Sequence, residues 1–383
     1  MQPIPYGRQT ISEEDIQAVV DALRSDFITQ GPRIGAFEAA FAEYTGARYA
    51  VAVANGTAAL HLCALSLDVQ PGQQVITTPI TFAASANCIR YCGGTVTFVD
   101  VDPQTALLDI EQVRHLLEKA PPGAYAGIIP VDFAGHPTQL DAYRELADEF
   151  GLWVIEDACH APGAAFVDRS GDRQQSGNGR YADLAIFSFH PVKHLTTGEG
   201  GMVTTNDRAL YERLQLLRTH GITKDPARIG TPHGGWYYEM LELGYNYRIT
   251  DIQCALGLSQ LEKAAEWLER RRAIARRYDA AFRGTRIRTL PVAEGVEHAY
   301  HLYVVQVENR RELYDQLRAR QIFPQVHYIP IHLLPYYRAQ GWKEGALPAA
   351  EAYYERCLSL PMYPALQEEQ QDYVIEQVLE ISG

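Results

Sequence analysis

An α/β fold built on a large, mostly parallel sheet is predicted for this chain of 383 residues by three observations. Short β-rich runs alternate with helical stretches from Tyr49 to Phe189, a spacing that favours parallel strands with helices covering both faces. The polar residues capable of chemistry follow the ends of those runs, where ligands gather on such sheets. The length and the 46% content of hydrophobic side chains suffice for one large core and a second, smaller one. A large domain over 1–250, a long interdomain helix over 251–284 and a small α/β domain over 285–383 are therefore expected.

The chain opens on an arm containing Pro and Tyr, and Ser12 then precedes EEDIQAVVDALRS, a capped helix with acidic residues in its first turn. An irregular loop, FITQGPR, leads to a helix over 34–45 and a strand over 49–54, which runs directly into NGTAALHLCALSL. The alternation continues through QVITT and a helix from Phe82, TVTFVDVD and a helix over 109–119, GIIPVDF and LDAYRELADEFG, LWVIED, and LAIFSF. After a further helix, ALYERLQLLRTHG, residues 224–236 read as a mobile polar loop, and Thr250 can cap a helix of about thirty residues. The remainder alternates HLYVVQV, RRELYDQLRARQ, the Pro- and His-rich IFPQVHYIPIHLLP, and a helix begun near Gln367. No internal repeat or low-complexity tract interrupts it.

A formal net charge of -13 argues against nucleic acid or an anionic membrane surface as partner, so any anionic ligand must be met by local devices. No apolar run approaches the length of a bilayer span, and the first residues, MQPIPYGRQT, lack the regions of a secretory signal. A cytoplasmic protein is expected. The six cysteines (63, 88, 92, 159, 254 and 357) form no CxxC pair, which reads as reduced thiols and neither a disulfide framework nor a zinc site.

The strongest chemical signal is YADLAIFSFHPVKHLTTGEGGMVTT. An apolar strand, Leu184 to Phe189, delivers Lys193 into a turn, and Gly198, Gly200 and Gly201 let the backbone return as a second strand. A lysine desolvated on a rigid mount becomes a neutral amine able to form an imine, the chemistry that holds pyridoxal phosphate; the alternative is an ordinary surface-turn lysine. Asp157 closes a buried strand, where a carboxylate needs a cationic partner; a pyridinium nitrogen is one, and capping of the next turn is the other reading. Asn55, Gly56, Thr57 and Ala58 sit where a strand turns into a helix, which makes either an anion site or a plain N-cap. Two motifs fail on context. Gly177, Gly179 and Ala182 spell GxGxxA inside a polar hairpin or insertion, DRSGDRQQSGNGR, with no strand before it, and His190 and His194 flank a proline without an acidic third ligand, so no metal site is expected.

Five ordered segments, NGTAAL (55–60), TPITF (78–82), VIEDACHA (154–161), FSFHPVKHLTTGEGG (187–201) and GYNYRITDIQCALGLSQL (244–261), resemble the sugar aminotransferases of the DegT/DnrJ/EryC1/StrS family over nearly the whole length. The resemblance implies a pyridoxal 5'-phosphate enzyme of fold type I, with a large sheet domain and a smaller C-terminal α/β domain. It implies that Lys193 carries the cofactor, Asp157 meets the pyridine nitrogen, Phe82 covers the ring, and His160 lies near its other side. Gly56, Thr57, Ala58 and Ser188 then match the phosphate cup. Asn246 matches a residue reaching the cofactor of the neighbouring subunit, hence a homodimer with shared active sites.

Within the family, HGITKDP (220–226), WYYEMLELGYNYR (236–248) and QVHYIPIH (325–332) are similar to the branch that aminates UDP-4-keto-6-deoxy-N-acetylhexosamines in pseudaminic acid biosynthesis. In that branch Tyr6, the loop of Asp26, Phe27, Ile28 and Thr29, and the segment of His327, Tyr328, Ile329 and Pro330 would line the nucleotide-sugar site. The implied reaction is a ping-pong transamination from L-glutamate to the keto sugar, with the freed Lys193 amine moving the proton. Amination of another nucleotide-linked keto sugar at its 4- or 3-position, or a catalytically silent cofactor-binding sensor, are the alternatives. A deoxygenating dehydratase of similar sequence has histidine in place of the lysine, and Lys193 argues against it.

Overall fold

The computed structural model describes residues 3–231 and 233–383; Met1 and Gln2 of the expected arm and Pro232 of the expected loop lie outside the described residues. Seven apolar segments, β1 (Tyr49–Val53), β2 (Gln74–Thr77), β3 (Thr95–Phe98), β4 (Tyr125–Ile129), β5 (Trp153–Asp157), β6 (Leu184–Ser188) and β7 (Gly201–Thr205), form one sheet in the order β1-β7-β6-β5-β4-β2-β3. Strand β7 runs antiparallel to both β1 and β6, and every other neighbouring pair is parallel. Val51, Val53, Ile76, Ile128, Val154, Ile155 and Ile186 are fully buried, the continuous apolar run that a sheet covered on both faces requires.

The helices are α1 (Glu13–Leu23), α2 (Pro32–Thr45), α3 (Gly56–Ser66), α4 (Ala84–Tyr91), α5 (Ile110–Lys119), α6 (Leu140–Phe150), α7 (Arg208–Arg218), α8 (Asp251–Glu262) and α9 (Ala264–Phe282). Ser12, Asn55, Asp109, Asp207 and Thr250 cap their first turns through side-chain oxygens, each contributing about 1 kcal/mol. Residues 224–236 contain neither helix nor strand among the described residues.

The single helix expected over 251–284 is two helices. At Lys263 the backbone takes φ -98, ψ -1, and the Lys263 ammonium reaches the buried Asp15 carboxylate of α1 at 2.9 Å. The two halves serve different cores. Helix α8 packs on α1 and α2, whereas Ile274, Ala275, Tyr278 and Phe282 of α9 enter the C-terminal core with Tyr303, Leu358 and Val374. A turn of the axis satisfies both, although neither Gly nor Pro marks it.

The C-terminal part holds a three-stranded antiparallel sheet in the order β8 (Arg288–Thr289), β9 (Tyr303–Gln306), β10 (Cys357–Leu360), with α10 (Arg310–Ala319), α11 (Pro335–Arg338), α12 (Pro348–Arg356) and α13 (Glu368–Ser382). Ile4–Pro5 pairs in parallel with Ile322–Phe323 as a separate two-stranded sheet, and Ile4 is buried in the C-terminal core, so the start of the chain lies with this part and not with the large sheet. The GxGxxA stretch follows directly on a hairpin of Ala165–Val167 and Arg173–Gln175, so a strand does precede it, contrary to expectation, but it leads into the strand Leu184–Ser188 and opens no helix; Gly177 and Gly179 adopt positive φ.

Candidate active site

Parallel strands β5 and β6 bring Asp157 opposite Ile186, and the turn after β6 carries Lys193. The Lys193 main-chain N–H is held by the His190 carbonyl at 2.8 Å. Its side chain is partly buried, and loss of hydration pushes the amine's pKa down while nearby Cys159 and Asp157 push it up. The amine is thereby drawn toward the neutral, nucleophilic form that an ordinary surface lysine does not offer.

Asp157 is buried and, among the described residues, no cation pairs with it. The Ser85 hydroxyl donates to Oδ2 at 2.7 Å, and the Cys159 N–H donates to Oδ1 at 3.2 Å. Ser85 sits in the first turn of α4 and shares a hydrogen bond of 2.8 Å with Thr81 Oγ1. The sequence reading missed Ser85. Its only signal was a hydroxyl three residues beyond Phe82, which nothing ties in sequence to a carboxylate 72 positions later.

Asn55 caps α3 by accepting from the Ala58 N–H at 2.8 Å. The N–H groups of Gly56 and Thr57 have no intrahelical acceptor and donate to no other backbone oxygen among the described residues. A Cβ at Gly56 would stand 3.0 Å from the Ser188 Cβ and 3.6 Å from the Cys159 sulfur, which places this helix start directly against the end of β6. Two free N–H groups, the Thr57 and Ser188 hydroxyls and the helix dipole form an anion cradle. Ala58 lies under it, its own N–H already engaged.

Phe82 is 62% exposed between the buried Thr81 and Ser85, a bare ring held out over the cleft, with Tyr328 at 6.5 Å. His160 follows Asp157 by three residues. Burial and the charge of Lys193 hold its pKa well below the usual range, so it is neutral. The Ala134 N–H donates to its Nδ1 at 3.3 Å, which leaves the ring proton on Nε2, 3.2 Å from the Tyr328 hydroxyl. His301, another residue the sequence reading passed over, packs on the same ring with centroids 4.2 Å apart.

The segment after Ile322–Phe323 crosses above this group. His327 Nδ1 meets Ser359 Oγ at 2.8 Å, Tyr353 donates to the His327 carbonyl at 2.9 Å, and the Ile331 N–H reaches the Pro79 carbonyl at 2.9 Å. Burial takes the His327 pKa down to about 3, so it faces a ligand uncharged. Tyr6 lies 5.0 Å from the His327 ring and its carbonyl accepts from the Met362 N–H. Ile329 is exposed beside the buried Pro330.

Two groups stand apart. Asp26, Phe27, Ile28 and Thr29 are exposed beside the start of α8, where Thr29 bridges Thr250, and nothing among the described residues joins them to Lys193 or Tyr328. Asn246 is also exposed, and no side-chain hydrogen bond engages it among the described residues, although the next carbonyl, of Tyr247, accepts from Ala54 at the foot of the cradle. His194 gives Nε2 to the Ala299 carbonyl at 2.8 Å while His190 is exposed, and among the described residues no cluster could hold a metal.

A carboxylate awaiting a cation, a desolvated amine, a bare aromatic ring and an anion cradle fit a flat, phosphorylated pyridine aldehyde. The fold and this donor set define a pyridoxal-phosphate transaminase of fold type I. The chain belongs to the DegT/DnrJ/EryC1/StrS aminotransferase family, whose family model it matches over residues 9–379. The spore coat polysaccharide biosynthesis protein SpsC of Bacillus subtilis is 39% identical over 99% of this chain and 97% of its own. A Streptococcus pneumoniae protein solved in its PLP form is 32% identical with a TM-score of 0.89, covering 99% of this chain and 98% of that one. PseC of Helicobacter pylori, an aminotransferase involved in the biosynthesis of pseudaminic acid, is 30% identical with a TM-score of 0.89 over 100% of this chain and 99% of its own. The protein is a sugar aminotransferase that uses pyridoxal phosphate.

Proposed function

We propose that this enzyme moves the amino group of L-glutamate to the 4-position of a UDP-4-keto-6-deoxy-N-acetylhexosamine, giving the 4-amino sugar nucleotide of a pseudaminic acid type pathway. The cofactor, when bound, supplies the electron sink that lets a nitrogen leave one carbon and join another. Lys193 anchors the cofactor aldehyde and, once displaced, carries the proton between substrate carbon and cofactor. Asp157, fixed by Ser85, pairs with the ring nitrogen; Gly56, Thr57, Ala58 and Ser188 cradle the phosphate; Phe82 covers one face of the ring and His160 stands at the other. Tyr6, His327, Tyr328, Ile329 and Pro330 line the sugar side. Asn246, and the loop of Asp26, Phe27, Ile28 and Thr29, complete the site of a partner subunit in a homodimer. The six free cysteines accord with a cytoplasmic setting.

The observation that carries the sugar assignment is the segment over 327–330. An enzyme for two amino acids clamps a carboxylate with arginine in both half-reactions. Here neutral rings, His327 and Tyr328, face Lys193's turn, and no arginine bonds to this segment among the described residues. The similarity to PseC along the whole chain supports the same reading.

The test separates the half-reactions. The aminated cofactor form made with L-glutamate is expected to turn over with the UDP-keto sugar and with 2-oxoglutarate, and with no other simple 2-oxo acid. His327→Ala should slow the sugar half-reaction about tenfold more than the glutamate one, the worth of one well-placed contact. Equal losses in both, or turnover of several 2-oxo acids without the sugar, would remove the assignment.

A further inference from the structure

Directly behind Asp157, on the opposite face of its strand, lie two carboxyl groups that the reaction does not use. Asp132 and Glu156 are both fully buried. Consecutive residues, Ser176 and Gly177, hold one each, so the two carboxyl groups are neighbours. Their contacts are uncharged donors. The Thr138 N–H and hydroxyl reach Asp132 Oδ1 at 2.8 and 3.0 Å, Ser176 Oγ reaches Oδ2 at 2.8 Å, and the Gly177 N–H reaches both oxygens of Glu156 at 3.1 and 3.0 Å. The titratable neighbours that feel Asp132 are Cys159 and Tyr143, both acids, and no lysine, arginine or histidine bonds to the pair among the described residues.

Two bare carboxylates held as neighbours in the core without a cation would repel strongly, and a proton on one of them removes that repulsion. The consequence falls on the site, because the pair brackets Asp157. Glu156 precedes it in β5, and across the sheet the Asp157 N–H donates to the Pro130 carbonyl at 2.9 Å while the Asp132 N–H donates to the Asp157 carbonyl at 3.0 Å. The hairpin end is fastened to the same pair. Gly177 sits against Phe187 with no room for a Cβ, and its carbonyl accepts from Thr204 of β7.

We propose that Asp132 and Glu156 share a single proton, and that this proton is a positioning element of the active site, closing the strand ends that aim Asp157 into the cleft. Burial raises both acids, Asp132 to about 6 and Glu156 well above the usual carboxylate range, and the charge of Asp132 adds to the rise of Glu156. The sign follows. An acid whose pKa is higher folded than unfolded binds a proton that the unfolded chain has lost, so its stabilising effect is complete at low pH and declines as pH rises toward the folded value. The inference depends on Asp157 belonging to the site and not on which sugar is bound.

The experiment begins on the cofactor-free protein. Infrared spectra at pH 7 should show a protonated buried carboxyl that Glu156→Gln lacks, since its amide can serve both neighbours without titrating. Between pH 7 and 9, above the range of ordinary histidine, the folding constant of the wild type relative to Glu156→Gln should fall toward tenfold per pH unit, the slope of one proton. The affinity for pyridoxal phosphate, measured by dialysis, should weaken with rising pH in the wild type more than in the variant. Absence of the carboxyl band, or parallel pH profiles in wild type and variant, overturns the proposal. Should Glu156→Gln not fold, Asp132→Asn provides the same comparison, and the band in the wild type remains decisive.

Discussion

Lys193 shows how much of a site one residue's surroundings can decide. Its turn was legible because an apolar strand, a lone lysine and three glycines stand together in sequence. The desolvation that lowers its pKa was not, since it comes from burial in the folded chain, against which nearby Cys159 and Asp157 push the other way. A lysine with a lowered folded pKa is neutral in part of the range where the unfolded chain is charged, so stability gains as pH rises until the ordinary value near 10.5 is passed. Formation of the yellow, borohydride-bleachable chromophore from cofactor-free protein and pyridoxal phosphate should accordingly reach its plateau at lower pH than for a free lysine side chain. A midpoint at the ordinary value would mean that the amine is hydrated. Asp157 was found by the same local logic, a polar residue at a strand end, whereas the role of Phe82 came from the family resemblance. Ser85 and His301 were missed because what makes them part of the site is a partner far along the chain, which periodicity does not reveal.

At the scale of elements, local chemistry predicted well and long-range chemistry did not. The capping oxygens of Ser12 and Thr250 announced their helices, and both form reciprocal caps with the residue three positions on. The start of α2 gave no such sign, because its cap is supplied by α8. Gly31 offers no side chain, and the fully buried Asp251 accepts from the Gly31 N–H at 2.7 Å and the Arg33 N–H at 2.9 Å. A Cβ at Gly31 would meet Asp251 Oδ1 at 2.7 Å, so the fit admits no substitution. Asp251→Ala leaves two half-buried donors unpaired and should lower stability by about 2 kcal/mol, read as a shift of the urea midpoint at unchanged slope. Asp251→Asn, which keeps one good acceptor, should lose less. The break at Lys263 has the same origin. The ammonium is drawn to Asp15, about 250 residues earlier, and a sequence without Gly or Pro at that point reads as one continuous helix.

At the scale of the molecule, two of the groups proposed for the site face outward. Asn246 and the loop of Asp26 to Thr29 are exposed and unattached to the Lys193 cluster, and large apolar side chains within that loop and in the stretch leading to Asn246 are exposed too: Phe27, Ile28, Trp236, Met240 and Leu243, the last 78% exposed. Exposed apolar groups of this size are what a subunit interface covers. If the homodimer places Asn246 at its neighbour's cofactor, two inactive variants should rescue each other. A Lys193→Ala subunit keeps its asparagine and an Asn246→Asp subunit keeps its lysine. In the hybrid, the site holding the intact lysine receives the intact asparagine, and the other site lacks both. Random reassortment of equal amounts makes half the dimers hybrid, each with one working site, so about a quarter of wild-type activity should return, within the limits of isologous pairing. The measurement is glutamate-dependent amination after co-refolding, with hybrids confirmed by a tag on one variant. No recovery in purified hybrids would mean that each site is built from one chain, and that Asn246 serves the foot of its own cradle beside Ala54.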